Sequence, residues 1–353
     1  MKPLLTLSSA LLALPAAAQS TDLLPRHLEE LVVTASPLER TLFELVQPAG
    51  VLKGQELASR LEPGLGDTLD RQPGVSSTSF APGASRPIIR GLGGERIRVL
   101  TDGIGSLDVS TSSADHAVAI NPLTAERIEV LRGPAALLFG SSAIGGVVNV
   151  IDQRIPRSAP RGPVHLDAIG TLGSAADERA INLTLDVPIV SKLILHGDGS
   201  WFKSSDLEIG GAVLSKALRA EARASADPEI RALADLKDVL PNSAAKSSEV
   251  AGGLAWVDGA LNVGIAVSRL NNLYGVPVRY SLEPGVEGEK VRLDVRQTRL
   301  DARAEVPIGS GFLDQVRLRG GKVDYRHDEI DESGAIGTSF FSTGAEGRLE
   351  LVQ

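Results

Sequence analysis

The chain has 353 residues, a formal net charge of −8 and no cysteine. This acidic balance argues against a nucleic-acid-binding protein, and the absence of cysteine excludes a disulfide scaffold and a zinc site with cysteine ligands. No apolar run reaches the roughly 18 residues of a membrane-spanning helix. The absence of such a run does not exclude strands that span a membrane, because the alternating sequence signal of those strands is much weaker.

The first 18 residues have the pattern of an export signal. Lys2 supplies a positive charge, Leu4–Leu14 form an apolar stretch, and the small residues 16–18 provide a cleavage site. We therefore predict that residues 1–18 are a cleaved signal peptide and that the mature protein begins at Gln19.

A short β-forming segment lies in the flexible stretch that follows, residues 19–37. The segment 28–36 reads LEELVVTAS and has high β propensity, but no partner strand is near in sequence. On the pattern alone an ordinary edge strand is the favoured interpretation. An exposed segment of this kind can also add to the sheet edge of another protein through main-chain hydrogen bonds.

Residues 38–152 carry the mixed signals of a compact α/β unit. Pro73 and Gly74 end one short helix, and Asp102-Gly103 turn the chain after a strand. The short helices and strands predicted in this unit are, in chain order, 53–61, 66–69, 86–91, 96–100, 126–131 and 147–151.

The most informative run is ERIEVLRGPAALLFGSSAIGGVVNVID, from Glu126 to Asp152. Its two ends have strand patterns, and the glycines between them permit close backbone approach, so the pattern predicts two strands joined by a tight glycine-rich crossing. The run closely resembles the end of the plug domain of TonB-dependent outer-membrane receptors. Phrases of such a plug occur in the same order over residues 28–152.

This resemblance implies a role for several segments. Residues 28–36 would be a TonB box, Arg90, Glu129 and Arg132 would contact a surrounding barrel, and the protein would lie in the outer membrane of a Gram-negative bacterium. Its partners would be TonB with its inner-membrane energising complex, outer-membrane lipid and the barrel-assembly machinery, and no nucleic acid. The residues implied to bind TonB are Leu28, Glu29, Glu30, Leu31, Val32, Val33, Thr34 and Ala35.

Beyond residue 163 the pattern becomes repeated alternation of apolar and polar residues. Within Leu293–Leu300 one face is charged and the other mainly apolar. A sandwich core would give the same alternation, so the alternation alone does not decide. The eight candidate strands are 164–172, 179–187, 192–203, 249–257, 260–270, 290–306, 311–325 and 343–352.

The connections between these strands alternate in length. Outer-membrane barrels alternate short periplasmic turns with long extracellular loops, whereas a sandwich has no reason to keep that parity. We therefore expect the long segments on the cell exterior, the first with a solvated helix from Asp227 to Leu240. The short connections are 187–192, 258–259 and 307–310, and the long ones are 204–248, 271–289 and 326–342.

Eight strands are too few to enclose a plug, because barrels of about 8 strands are filled by their own side chains and barrels of about 22 hold a plug. The chain also ends at Gln353 without the terminal aromatic residue usual in the family it resembles. The expected fold class is therefore an α+β plug domain (38–152) followed by an antiparallel transmembrane β-barrel (163–353), here incomplete. Because an unclosed barrel exposes two sheet edges to lipid, we expect the chain alone not to insert as a stable transporter.

Four residues are candidate metal ligands. Asp115 and His116 offer a carboxylate and an imidazole, although adjacent side chains reach one ion only where the backbone is irregular. His327 and Glu329 are two residues apart and share a face of an extended chain. A solvated pair and a solvated acidic loop are the respective alternatives. A zinc site needs three or four ligands, so Asp115 and His116 are too few and the barrel would have to supply the rest, with His327 and Glu329 as the best candidates.

Several phrases resemble the zinc-uptake (ZnuD-type) branch of these receptors, which implies that Asp115 and His116 belong to a zinc site. The chain departs from that branch in having no histidine-rich external loop. His165 and His196 lie inside strand patterns and are interpreted as lumen-facing or girdle residues. The phrases are 110–123, 274–277, 291–294 with 297–299, 325–327 with 337–338, and 347–351.

The expected function is import of a scarce metal ion, zinc in first place and haem as a second cargo, energised through TonB. No enzyme is expected, because no Ser-His-Asp order, phosphate-binding loop or suitably spaced carboxylate pair is present, and no cofactor is required. The alternatives are a siderophore or cobalamin receptor and a truncated, non-transporting remnant.

Overall fold

The structure, a computed structural model, describes residues 49–78, 80–133, 139–286, 288–309 and 311–353. The predicted signal peptide and the predicted TonB box at 28–36 lie outside the described residues. Residues 49–152 are called here the N-terminal unit, and the strands after residue 164 form most of the remainder. No helix in the described part of the chain is long and apolar enough to cross a membrane.

The N-terminal unit is built on a small mixed sheet. Its strands are β1 Ala49–Lys53, β2 Val75–Ser77, β3 Pro87–Ile89, β4 Ile97–Thr101, β5 Ile104–Gly105, β6 Ala125–Arg132 and β7 Gly146–Asp152, with helices α1 Gly54–Ala58 and α2 Leu65–Leu69 and single 3₁₀ turns at Gly94–Arg96, Pro122–Thr124 and Ser141–Ala143. The sheet order is β1-β6-β7-β4-β5, and β2 pairs with β3 separately.

The glycine-rich run behaves as its pattern predicts. Strands β6 and β7 pair antiparallel, with Leu131 opposite Val147. All seven residues of β7 are buried, which fits its position at the centre of the sheet. Gly146 has a φ of +146° and its Cα faces the Leu131 carbonyl, where an added Cβ would lie 2.3 Å from that oxygen. Only glycine permits this approach.

Eight long strands form a second, entirely antiparallel sheet, called here the large sheet. Its strands are β8 His165–Gly173, β9 Glu178–Val190, β10 Leu193–Lys203, β13 Ala245–Asp258, β14 Leu261–Gly275, β15 Arg292–Pro307, β16 Gln315–Ile330 and β17 Ile336–Val352. They follow one another in sequence order from β8 to β17, and the strands β11 Leu207–Ala212 and β12 Lys237–Leu240 pair separately. Each of the eight predicted strands is present. Among the described residues the sheet does not close, since β8 and β17 are its two edges.

The first long connection, predicted as 204–248, contains helices and strands of its own. The prediction of a helix for Asp227–Leu240 is wrong in its second half. Asp227 caps a helix that covers only Pro228–Leu233. The chain then forms a strand that pairs with an earlier strand of the same connection, and this pairing outweighs helical spacing. The elements of the connection are β11 Leu207–Ala212, α3 Lys216–Ala224, α4 Pro228–Leu233 and β12 Lys237–Leu240.

The third predicted long loop, 326–342, is also wrong. Strand β16 continues to Ile330 and β17 already begins at Ile336, so only residues 331–335 connect them. The charged residues that suggested a loop lie on a strand whose inward side chains remain buried, including Tyr325 and His327. The predicted metal ligands of this region therefore lie on a regular strand near its end.

The large sheet has its apolar side chains on the outer face. Leu254, Trp256 and Ile265 are 36%, 42% and 56% exposed, whereas Arg299 and Arg303 on the inner face are 3% exposed. A soluble sandwich would bury the first set and expose the second. Together with the antiparallel order, this inversion is the pattern of a barrel wall facing lipid.

The N-terminal unit packs against the inner face of the large sheet. Small apolar residues of the unit, such as Ala117 and Ala119, lie in one buried cluster with Phe202, Leu270 and Tyr274 of the sheet. This contact brings the loop between β5 and the 3₁₀ turn at Pro122–Thr124 to strands β14 to β17, where the candidate site forms.

Candidate metal-binding site

The side chain of His116 is buried in this loop and held by its own loop neighbours. Its Nδ1 lies 2.9 Å from Ser112 Oγ and 3.2 Å from the Val109 carbonyl oxygen. Ser112 Oγ donates to the same carbonyl at 2.7 Å, so both atoms near Nδ1 act as acceptors. Nδ1 therefore carries the proton, and the Nε2 lone pair is free to bind a metal.

His327 and Glu329 reach the same point from β16. As predicted, residues two apart on this strand share its inner face. His327 is fully buried and the Glu329 side chain is 26% exposed. The Tyr325 hydroxyl lies 2.9 Å from His327 Nδ1, on the side of the ring away from Nε2.

His116, His327 and Glu329 form what is called here the three-ligand cluster. One donor atom from each residue lies within 4.8 Å of the other two. His116 Nε2 is 3.6 Å from Glu329 Oε1, and the two imidazole centroids are 4.4 Å apart. The cluster takes one residue from the N-terminal unit and two from the large sheet.

The donor atoms of the cluster are suited to a cation. Nε2 of both histidines is buried and has no hydrogen-bond partner among the described residues. With both Nε2 atoms unprotonated, two imidazole lone pairs and a carboxylate face one another, and a positive charge in the centre offsets the cost of burying them. Two imidazoles and one carboxylate are also a common catalytic zinc ligand set, which leaves a fourth coordination position open.

Phe340 of β17 forms one wall of the cluster. Its ring stacks on His327 at 4.5 Å and meets the His116 ring edge-on at 5.0 Å. An apolar wall lowers the local dielectric and strengthens the attraction between ligands and cation. Because Glu329 is the most exposed of the three ligands, it gives the cluster its contact with solvent.

Of the four predicted ligands, Asp115 is the one outside the cluster. Its carboxylate accepts a hydrogen bond from Ser113 Oγ instead. Asp115 lies in a turn, where its side chain is held by Ser113 while that of His116 enters the cluster. His165 and His196 are also elsewhere: His165 is paired with Asp167 on edge strand β8, and His196 is buried between Asp186 and Asp198.

The three predicted plug–barrel contacts, Arg90, Glu129 and Arg132, all lie in the N-terminal unit. Glu129 is fully buried and accepts hydrogen bonds from Arg127 and Asn149, both in the N-terminal unit. Arg90 is exposed after β3. Burial first, and the charge of Arg90 second, lower the pKa of Arg132. The position of β6 inside the small sheet explains why Glu129 faces its own unit.

Other ion pairs cross between the N-terminal unit and the large sheet. Arg98 contacts Glu346 at 2.6 Å, and Arg303 contacts Asp102 at 3.5 Å. Arg154, just after the N-terminal unit, contacts Glu249 of the large sheet at 2.6 Å, with only 7% and 5% of their side chains exposed. No sequence pattern had indicated these residues, because the two partners of each pair are far apart in sequence and meet only in the folded protein.

The carboxyl groups near this boundary have opposite pKa shifts. Burial disfavours a charge on Asp102, but Arg157, Arg303 and Arg319 outweigh it and hold the pKa of Asp102 below its usual range. Burial raises the pKa of Asp152 to about 6, and Arg154 offsets only part of that effect.

Comparison with known proteins identifies the family of the N-terminal unit. Residues 41–147 match the TonB-dependent Receptor Plug Domain. The vitamin B12 transporter BtuB of Photobacterium profundum is 34% identical over 157 residues, covering 44% of this chain and 25% of that protein. The iron-regulated outer membrane virulence protein of Vibrio cholerae is 32% identical over 199 residues, covering 54% and 30%. The chain thus spans less than a third of the length of these curated relatives.

Solved structures agree with the fold. The siderophore receptor PirA of Acinetobacter baumannii has a TM-score of 0.51 and 18% identity, covering 88% of this chain and 55% of that one. The ferric yersiniabactin uptake receptor FyuA of Yersinia pestis has a TM-score of 0.55 and 19% identity, covering 85% and 44%. At these identities the likeness concerns fold alone: an α+β plug domain followed by part of an antiparallel barrel. By name, one of these relatives is a transporter and the two solved structures are receptors.

Proposed function

We propose that this chain, whose residues 41–147 are a TonB-dependent receptor plug domain, is part of an outer-membrane receptor that imports a divalent metal ion, zinc in first place. Residues 1–18 would direct export and be cleaved, residues 28–36 would bind TonB, and the apolar outer face of the large sheet would contact lipid. The observation that carries the proposal is the three-ligand cluster, in which two free imidazole Nε2 atoms and a carboxylate converge.

The donor set favours zinc over harder cations. Mg²⁺ and Ca²⁺ prefer six or more oxygen ligands, whereas imidazole suits zinc and neighbouring transition metals. Three protein ligands and one open position suit a cargo that must bind from solvent and later leave. The affinity order of divalent metals puts copper and nickel close to zinc, so these ions are the natural competitors.

The division of the ligands gives a route for release. His116 belongs to the N-terminal unit, and His327 and Glu329 belong to β16. A pull by TonB on residues 28–36 would move the unit relative to the sheet and separate His116 from its two partners. The metal would then keep two ligands at most, and its affinity would fall at the moment when a path to the periplasm opens.

A cobalamin, siderophore or haem receptor is the second candidate, favoured by the relatives. One is named a vitamin B12 transporter and another, from Yersinia pestis, a hemin receptor, 34% identical over 122 residues. In those cargoes the metal is already held by its own organic ligand, so a protein need not offer three further ligands to it. The three-ligand cluster is therefore better matched to a bare ion.

Calorimetric titration of the purified protein in detergent tests the proposal. We expect one Zn²⁺ per chain, and a loss of affinity of more than about 100-fold in His116→Ala and in His327→Ala, since even outer partners of a ligand contribute about 10- to 100-fold. His165→Ala is the matched control, because this histidine is exposed and paired with Asp167. Binding of cobalamin or haemin in place of zinc, unaffected by both alanine variants, would establish the second candidate.

A further inference from the structure

Tyr274 of β14 holds the peptide groups on both sides of His116. Its hydroxyl accepts a hydrogen bond from the Ala117 N–H at 2.9 Å and donates one to the Asp115 carbonyl at 2.8 Å. The side chain is fully buried. One hydroxyl of the large sheet thus fixes the backbone of the N-terminal unit at the position of its only ligand in the three-ligand cluster.

The contact between Tyr274 and the N-terminal unit is close along its whole length. An added Cβ on Gly83 would lie 2.6 Å from Tyr274 Cβ and 2.8 Å from its Cγ. The loop containing Gly83 therefore packs directly against the Tyr274 side chain. This packing fixes the distance between the two units, and the hydroxyl fixes the position of residues 115–117 along β14.

Tyr325 of β16 acts on the other histidine. Its hydroxyl lies 2.9 Å from His327 Nδ1, and its side chain is 1% exposed. The hydrogen bond between this hydroxyl and Nδ1 fixes the orientation of the His327 ring, so that Nε2 is directed into the cluster. Ser112 and Val109 hold the ring of His116 in the same way.

We propose that Tyr274 and Tyr325 are positioning residues of the metal site, which together hold two ligands from separate units at the spacing of one ion. The proposal rests on the proposed function and extends it, because it assigns the alignment of the two units to one hydroxyl. Neither tyrosine contacts the metal. Their hydroxyls act through His116 and His327, so their removal weakens binding without removing a ligand.

The chain offers a matched control for this proposal. It has three tyrosines, and the third, Tyr280, is partly exposed in the connection between β14 and β15. Tyrosine-to-phenylalanine substitution removes only the hydroxyl and keeps the ring packing. The same chemical change can therefore be made inside and outside the site.

The experiment measures Zn²⁺ affinity and the visible absorption of bound Co²⁺ for Tyr274→Phe, Tyr325→Phe and Tyr280→Phe in the purified protein. Co²⁺ absorption reports coordination geometry, which a purely structural loss of stability does not change. We expect about 10- to 100-fold weaker zinc binding and an altered Co²⁺ spectrum for the first two variants, and wild-type behaviour for the third. Circular dichroism establishes that each variant is folded, and if Tyr274→Phe is not, Tyr325→Phe carries the test.

The outcomes separate this inference from the function beneath it. Wild-type affinity and an unchanged Co²⁺ spectrum in both tyrosine variants would overturn the inference while leaving zinc binding intact. An equal loss in Tyr280→Phe would overturn it as well. Absence of zinc binding in the wild type would overturn the proposed function, and the positioning role would fall with it.

Discussion

His116 Nε2 lies 3.6 Å from Glu329 Oε1, although the first residue belongs to the N-terminal unit and the second to the large sheet. Neither unit supplies all three side chains of the three-ligand cluster, so the cluster forms only when the two are seated together. Metal binding and plug seating should therefore stabilise each other, by the general linkage between ligand binding and the state that binds.

The two predicted carboxylate ligands should behave differently on substitution. We expect Glu329→Gln to weaken zinc binding by about 10- to 100-fold or more, because a neutral amide is a poorer ligand than a carboxylate. Asp115→Asn should leave the affinity close to wild type, because its carboxylate is occupied by Ser113. Titration of both variants checks this, and a larger effect at Asp115 than at Glu329 would mean that the ligand set is assigned wrongly.

Gly83→Ala should disturb the seating of the N-terminal unit. The new methyl group would overlap the Tyr274 ring, and overpacking of this kind costs about 1–3 kcal/mol of unfolding free energy. Gly210→Ala is the control, because no atom lies within 4 Å of its added Cβ. Denaturant unfolding of the two variants compares them. Equal stability would show that Tyr274 is not confined by the loop.

Arg154→Met should destabilise the contact between the segment that follows β7 and the large sheet. It leaves the buried carboxylate of Glu249 without its cation, and breaking a buried pair costs about 3–5 kcal/mol. The double variant Arg154→Met/Glu249→Gln should recover part of this loss. Arg179→Met is the control, since its pair with Asp177 is exposed and such pairs contribute about 0–1 kcal/mol. No recovery in the double variant would argue against the pair.

The pH dependence of stability should reveal Asp152. Burial raises its folded pKa to about 6. A raised carboxyl pKa favours the folded protein below about pH 3.9, and this contribution is lost as the pH rises through about 6. Asp152→Asn resembles the protonated form, so it should gain stability relative to wild type between about pH 4 and pH 7.

A variant with the opposite shift serves as its control. Hydrogen bonds from Ser333 first, and from the Ala335 backbone, lower the pKa of Asp331, so Asp331→Asn should lose stability relative to wild type as the pH rises. Denaturant unfolding at about pH 4 and about pH 7 measures the difference in unfolding free energy between each variant and wild type. The same sign for both variants would contradict the assignment for Asp152.

The strands of the large sheet could be predicted because apolar and polar residues alternate along them in the sequence. The residues at which the strands end could not be predicted as well. The stretch after Tyr325 is rich in charge and resembles a loop, yet His327 continues the inner face of β16 beside Phe340 of β17. A local pattern cannot distinguish a charged loop from a strand that has one charged face in contact with another unit.

The candidate ligands could be predicted from the sequence, but the residues that position them could not. His116, His327 and Glu329 were three of four candidate ligands, predicted from ligand chemistry, period-two spacing and the resemblance to the zinc-uptake branch, whereas the fourth, Asp115, lies outside the three-ligand cluster. The role of Tyr274 could not be predicted, because it depends on how the loop at residues 115–117 is seated against β14. The same is true of Arg154, whose partners Asp198 and Glu249 lie on two neighbouring strands of the sheet.

Anomalous diffraction at the zinc edge from crystals of the zinc-loaded protein tests the central claim most directly. We expect one strong peak within about 2.0–2.2 Å of His116 Nε2, His327 Nε2 and a Glu329 carboxylate oxygen. Such a peak would place the cargo ion between the N-terminal unit and the large sheet. A zinc peak elsewhere, or none between these three side chains under saturating zinc, would contradict the assignment of this protein as a receptor for a bare metal ion.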